Sequence, residues 1–267
     1  METHLLTYRH SQVHYYRYGQ GKKYMFCFHG YGEDGESFKI FEGLMGDLFT
    51  LIAIDFPFHG KTVWEDGLLF EPTDLITIIN LIKPADQSMH LLGYSMGGRV
   101  ALQLLQVIPE LINKLVLVAP DGLHKNKWQW LSTETRIGNR LFAYCMHQPV
   151  GLLRLIDKAA KLGLFKKNLL KFIHYYLDDA EQRAILYRRW TTMRKFRPDT
   201  ALLKKIILLR QTRICLLFGE YDRVILSKHG FTFSRQTSGL VQVTEIEAGH
   251  QLLREKYAPL IAEMIRG

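Results

Sequence analysis

At 267 residues the chain is long for one compact domain and short for two, so one core domain carrying an insertion is expected. Hydrophobic residues make up 47% and charged residues 23%, which excludes a disordered or low-complexity protein. Lys and Arg outnumber Asp and Glu by 35 to 26, and 19 basic against 7 acidic residues fall between Asp121 and Arg210, so the excess belongs to one segment.

The chain opens with alternation at Val13, Tyr15 and Arg17 and a turn at Gly19-Gln20-Gly21, as a β-hairpin would. Six short apolar runs follow, each closed by turn residues: Tyr24 to Phe28 by HGYG, Leu51 to Ile54 by DFPFHG, His90 to Leu92 by GYSMGG, Leu115 to Ala119 by Pro120-Asp121-Gly122, Ile214 to Phe218 by GEYD, and Val241 to Ile246 by EAGH. Such runs suit strands buried on both faces. Helical spacing between them (Val100, Leu104 and Val107, with Ala101 and Leu105) predicts βα units and an α/β fold with a mostly parallel, doubly wound sheet. The alternation stops after Leu123. Leu152, Leu155, Ile156, Ala159 and Leu162 form one helical stripe, and Leu169, Phe172, Ile173 and Tyr176 another. Arg154, Lys158, Lys161, Lys167 and Lys171 lie opposite. Residues 1–121 and 211–267 are therefore expected to build the core, and 122–210 a basic helical cap.

Ser95 sits in Gly-x-Ser-x-Gly between an apolar strand (MHLL) and a helix (RVALQLLQ). A sharp strand-to-helix turn lifts such a hydroxyl into solvent, and its strained backbone admits only small residues two places to either side. A serine hydroxyl is a poor nucleophile near neutral pH, so it needs a base, and the base needs an orienting carboxylate. His250 and Asp222 each follow a different strand, so all three can meet at the carboxyl edge of a parallel sheet. Asp121, after the preceding strand, is the alternative acid. His29 reads as a turn-shaping residue, and His10 and His14 read as surface-strand residues without metal-ligand spacing. Gly30, Gly32 and Gly35 with Asp55 mimic the dinucleotide fingerprint, but a hairpin precedes them. Gly60-Lys61-Thr62 mimics the end of a P-loop without its first glycine.

With HGYG, DFPFHG, GYSMGG and the GEYD–AGH pair in place, the chain resembles the α/β-hydrolase superfamily over nearly all of its length outside the insertion. The resemblance implies a serine hydrolase with Ser95, Asp222 and His250 as its triad and the backbone amides of Tyr31 and Met96 as its oxyanion hole. It also implies a helical cap after Ala119. Phe58 departs from the family's Asp-x-Pro-Gly-His-Gly pattern, where a glycine is usual. The expected substrate is a carboxylic ester or thioester of a small acyl or aromatic group, with no cofactor and no metal. His29, Tyr94 and Arg99 are candidate substrate-binding residues. GYSMGGR also looks like the menaquinone-pathway lyase of this fold, in which Arg99 would bind a substrate carboxylate. A binding protein that keeps the fold without activity is the alternative from another class.

The basic segment has three readings: solvated outer helix faces, contact with an anionic or carrier-bound acyl substrate, or contact with a membrane surface. No motif points to nucleic acid, and oligomeric state is not legible. No run of about 18 apolar residues escapes a charge, so no membrane span is expected. The first twenty residues lack the apolar core of a secretory signal. Three cysteines cannot all pair, and Cys27 and Cys215 fall in strand-like runs, so a reduced, cytoplasmic setting is expected.

Overall fold

The computed structural model describes residues 1–124, 127–161 and 177–267. Eight strands form one sheet: β1 (Glu2–Tyr8), β2 (Ser11–Tyr18), β3 (Lys23–Phe28), β4 (Phe49–Ile54), β5 (Met89–Tyr94), β6 (Ile112–Val118), β7 (Arg213–Gly219) and β8 (Val241–Ile246). Their order is β1-β2-β4-β3-β5-β6-β7-β8. The β1–β2 and β2–β4 pairs are antiparallel, and every later pair is parallel. All six apolar runs read from the sequence are strands of its parallel part, and FTLIAI of β4 is buried at every position.

The opening hairpin lies elsewhere than the glycines suggest. It joins β1 to β2 through Arg9 and His10, with Arg9 at φ +52°. Gly19-Gln20-Gly21 instead links β2 to β3, which lie on either side of β4. A turn without glycine, proline or asparagine leaves little trace in a sequence. His14 is not a surface residue either. It is 3% exposed, and its Nδ1 lies 2.8 Å from Asp55 Oδ2.

The chain divides into two compact units. The first, Met1–Asp66 with Glu71–His124 and Phe196–Gly267, holds the sheet. Its helices include α1 (Glu42–Met45), α2 (Pro72–Ile82) and α3 (Met96–Val107). The second unit, Gly67–Phe70 with Lys125–Lys195, contains α4 (Lys127–Glu134), α5 (Arg136–His147), α6 (Pro149–Lys161) and α7 (Ala180–Thr192). Within it Phe142 packs on Tyr187 and Trp190, and the Asn139 amide bonds Thr191 Oγ1 at 3.1 Å. The second unit is narrower than 122–210, because α8 (Thr200–Arg210) buries Leu203 and Ile207 and packs on α3 in the first unit. Of the expected apolar stripes, α6 carries Leu152, Leu155, Ile156 and Ala159, but Leu155 is 65% exposed and no residue of α6 is buried. Leu162, Lys167, Leu169, Lys171, Phe172, Ile173 and Tyr176 lie outside the described residues. Two further helices of the first unit, α9 (Lys228–Ser234) and α10 (Ala258–Arg266), follow β7 and β8. Helix α10 buries Ala258, Ile261, Ala262 and Ile265, the i, i+3, i+4, i+7 spacing of one face.

Asp55 ties the carboxyl end of β4 to its surroundings. Its Oδ1 accepts the Gly35 amide at 2.7 Å, and its Oδ2 accepts the Lys61 amide at 2.9 Å and meets His14. Both side chains of the His14–Asp55 pair are almost fully buried. Removing one partner of such a pair leaves polar groups dry and unpaired. Asp55→Ala should therefore cost about 3–5 kcal/mol of stability, read from the denaturant midpoint. A loss under about 1 kcal/mol would contradict this role.

Candidate active site

Ser95 occupies the turn between β5 and α3 at φ +50° and ψ −114°. For a residue with a Cβ such backbone costs on the order of 1–3 kcal/mol and needs neighbours that enforce it. They are present: the Ser95 amide donates to the Val118 carbonyl at 3.0 Å, and the Ser95 carbonyl accepts the Gly98 and Asp121 amides, each at 2.9 Å. The flanking glycines have a steric cause. A Cβ on Gly97 would lie 1.9 Å from the Phe28 carbonyl oxygen, and one on Gly93 would lie 2.7 Å from the Gly97 oxygen. A Cβ on Gly98 would meet Pro120 at 2.4 Å. The turn thus packs backbone against backbone, and its serine projects at the start of α3.

Two more loops complete the arrangement. After β7 the chain turns through Gly219-Glu220-Tyr221-Asp222, and after β8 through Glu247-Ala248-Gly249-His250. The Tyr221 amide donates to the Ala248 carbonyl at 2.9 Å, and a Cβ on Gly219 would come within 2.4 Å of that same oxygen. With the loops joined, His250 Nδ1 lies 2.7 Å from Asp222 Oδ2, and His250 Nε2 lies 3.1 Å from Ser95 Oγ. The Asp222 side chain is fully buried, whereas that of His250 keeps 22% of its surface exposed.

Burial raises the Asp222 carboxyl most strongly. The His250 bond and the Ile225 and Val224 amides together outweigh it and hold the group below its ordinary value. Those amides bond Asp222 Oδ1 at 3.0 and 2.7 Å. Asp222 is therefore the charged, fixed end of the chain of bonds, and Ser95 is the accessible end.

The remaining expected residues separate into different tasks. His29 is fully buried, with Nδ1 on the Gly30 carbonyl at 2.8 Å and Nε2 accepting the Phe56 amide at 3.1 Å. It braces the loop and offers no surface to a substrate. Tyr94 is 3% exposed, and its hydroxyl donates to the His250 carbonyl at 3.1 Å, so it holds the histidine loop. Arg99 Nε lies 3.5 Å from Asp121 Oδ2. That nitrogen is buried and makes no hydrogen bond, and His250 pairs with Asp222 rather than with Asp121. Tyr31 lies in the loop after β3 and Met96 opens α3, where the first amides have no intrahelical acceptor. Phe58 adopts φ +62°, the left-handed region that accounts for a glycine there in the family pattern. Among the described residues no cluster of three or more His, Cys, Asp or Glu could hold a metal ion.

One neighbour escapes a reading of the sequence. Glu33 Oε2 is buried without a hydrogen-bond partner, 3.4 Å from where a Gly30 Cβ would stand, and the Tyr94 ring lies 3.0 Å from that same point. Burial raises the Glu33 carboxyl, and the Gly30 backbone bond and the His250 ring only partly oppose it. An acidic residue in a turn looks solvated in sequence, and only the fold buries its Oε2.

The profile described as the alpha/beta hydrolase family matches residues 25–263. An uncharacterized hydrolase of Bacillus subtilis, YugF, is 25% identical over 94% of this chain and 92% of its own length. A pimeloyl-[acyl-carrier protein] methyl ester esterase of Aeromonas salmonicida is 29% identical over 50% of this chain, and the match spans 53% of that protein. Among solved structures, a thermophilic esterase from Thermogutta terrifontis superposes with a TM-score of 0.69 at 16% identity, over 100% of this chain and 98% of that one. The thioesterase domain of the curacin biosynthetic pathway does so with a TM-score of 0.67 at 16% identity, over 100% and 99%. At these identities the solved structures show a shared fold.

The Asp222 geometry has a consequence for acid stability. A carboxyl held below its ordinary value stabilises the fold above the unfolded-state value of about 4, and that contribution is lost as pH falls through the folded-state value. Asp222→Asn should flatten the acid limb of the unfolding free energy below about pH 5, measured by urea titration at stepped pH. An acid limb of unchanged slope would contradict this.

Proposed function

The chain belongs to the α/β-hydrolase family, and from that membership we propose that it hydrolyses a carboxylic ester or thioester through an acyl-enzyme formed on Ser95. The observation that carries the proposal is the continuous hydrogen-bonded path Ser95 Oγ–His250 Nε2, 3.1 Å, and His250 Nδ1–Asp222 Oδ2, 2.7 Å. His250 takes the Ser95 proton at Nε2 as Oγ adds to the substrate carbonyl carbon. The resulting imidazolium is held at Nδ1 by the Asp222 carboxylate. Collapse of the tetrahedral species breaks the bond to the alcohol or thiol, which leaves with the proton from Nε2. A water molecule then gives its proton to His250 and adds to the acyl carbon, releasing the acid and restoring the Ser95 hydroxyl.

The backbone amides of Met96 and Tyr31 serve as donors to the developing oxyanion. Each such donor typically contributes about 3–4 kcal/mol to lowering the barrier. The start of α3 adds the positive end of a helix to the same point. The name of the Aeromonas relative supports an ester of a carrier-bound acyl group as one substrate class, and the basic residues of 122–210 suit an anionic substrate of that kind. Those residues serve as the cap in this reading.

A panel of p-nitrophenyl esters and acyl thioesters, graded in chain length and charge, tests both chemistry and pocket. Ser95→Ala should lower turnover of the best substrate by about four orders of magnitude with the fold intact. Undiminished hydrolysis in that variant would place the reaction elsewhere.

A further inference from the structure

The opposite edge of the sheet carries a second feature that the esterase chemistry does not use. At the amino ends of the parallel strands a cavity of about 260 Å³ is lined by Lys23, His90, Asn113, Lys114, Arg213 and Arg266, among others. None of the side chains that line it is acidic. Strand register explains why the bases gather. His90 pairs with Lys114 and Lys114 with Arg213, so three basic side chains occupy successive rungs of one row across β5, β6 and β7. Met25 pairs with His90, which puts Lys23, two residues before Met25, on that same face. Asn113 is the extra residue of a β-bulge, since Met89 pairs with Ile112 and His90 with Lys114.

Adjacent strands lie roughly 4.8 Å apart, and like charges side by side across them are destabilising. Lys114 is only 8% exposed, and its Nζ donates to the Ile265 carbonyl at 3.3 Å, at the negative end of α10. Arg266 donates to the Leu44 carbonyl. Among the described residues neither bond brings an acidic side chain to the row, and the main chain of Gly267 completes the lining. His90 Nδ1 is buried without a hydrogen-bond partner, and the ring packs edge-on against Phe49 at 5.1 Å. Burial, then Lys23 and Lys114, push the His90 imidazole below its ordinary value, while a Tyr24 backbone bond opposes them.

We propose that this cavity binds a phosphate-class oxyanion, seated against the Lys23, Lys114 and Arg213 side chains with His90 and Asn113 beside it. An anion there turns a repulsive row into an attractive one and gains most from Lys114, which the fold already buries. The volume falls below the range of about 300–1,000 Å³ typical of drug-sized ligand pockets, which suits a free phosphate or the end of a small phosphomonoester. The site is independent of the esterase reaction: His90 and Ser95 stand at opposite ends of β5, roughly 16 Å apart at about 3.3 Å per residue.

Isothermal titration of the full chain with sodium orthophosphate and with glycerol 1-phosphate, against sodium chloride at matched ionic strength, tests the proposal. Saturable binding with one site per chain is expected. Equal affinity for both phosphates identifies the free oxyanion as sufficient, and tighter binding of glycerol 1-phosphate identifies the phosphomonoester; either supports the site. Lys23→Gln and Arg213→Gln are used because both residues are exposed, and each should weaken binding at least tenfold. Ser95→Ala should bind as the wild type does, and phosphate should leave wild-type ester turnover unchanged. Heat effects no greater than those of chloride, or affinity unaltered in both Gln variants, would overturn the proposal. So would loss of binding in Ser95→Ala.

Discussion

Three loops can share one hydrogen-bonded path only if the backbone behind them approaches more closely than side chains allow. Position 219 is one case, because any Cβ there would strike the Ala248 carbonyl and part the loops that carry Asp222 and His250. Position 97 does the same for Ser95, since it rests α3 directly on the end of β3. The chemistry therefore depends on backbone contact before it depends on the reactive groups. The buried carboxylate follows from that contact, because the turn that places Asp222 also aims the Val224 and Ile225 amides at it. Desolvation alone would raise the pKa of such a group, and the donors reverse that direction.

The two ends of the parallel sheet have opposite electrostatic character. At the carboxyl edge, loops bring acids and a histidine together with compensating amides. At the amino edge, the register alone aligns Lys114 with Arg213 and His90, and among the described residues that line the cavity there no side chain is acidic. A sheet of this topology gathers its loop residues by design of the turns, whereas its strand residues are gathered by pairing. The same strands thus present two chemically distinct surfaces.

Much of this was legible in the sequence, and for physical reasons. Strands buried on both faces must be continuous apolar runs, so the core strands announce themselves. A serine held between glycines marks a turn that no ordinary residue could make. Pairings between distant segments were harder to read. Nothing in the chain order says that His14 meets Asp55, because that contact depends on β2 lying antiparallel beside β4. The Arg9–His10 turn carries no glycine to betray it. Burial of Glu33 and the basic row at the amino edge are likewise properties of packing and register, which local spacing does not encode. His29, Tyr94 and Arg99 show the converse: position was legible and partners were not. All three lie near Ser95 in the motifs, but only the fold shows that His29 bonds the Phe56 amide and Tyr94 the His250 carbonyl.

In the proposed reaction Ser95 is a nucleophile activated by His250. A fluorophosphonate reacts covalently with a serine hydroxyl only when that hydroxyl is activated and accessible. Peptide mapping by mass spectrometry after labelling of the folded chain should find one adduct, on Ser95. The labelling rate should fall by about a thousandfold or more in His250→Ala. An adduct on another residue, or labelling of Ser95 that proceeds at the wild-type rate without His250, would contradict it.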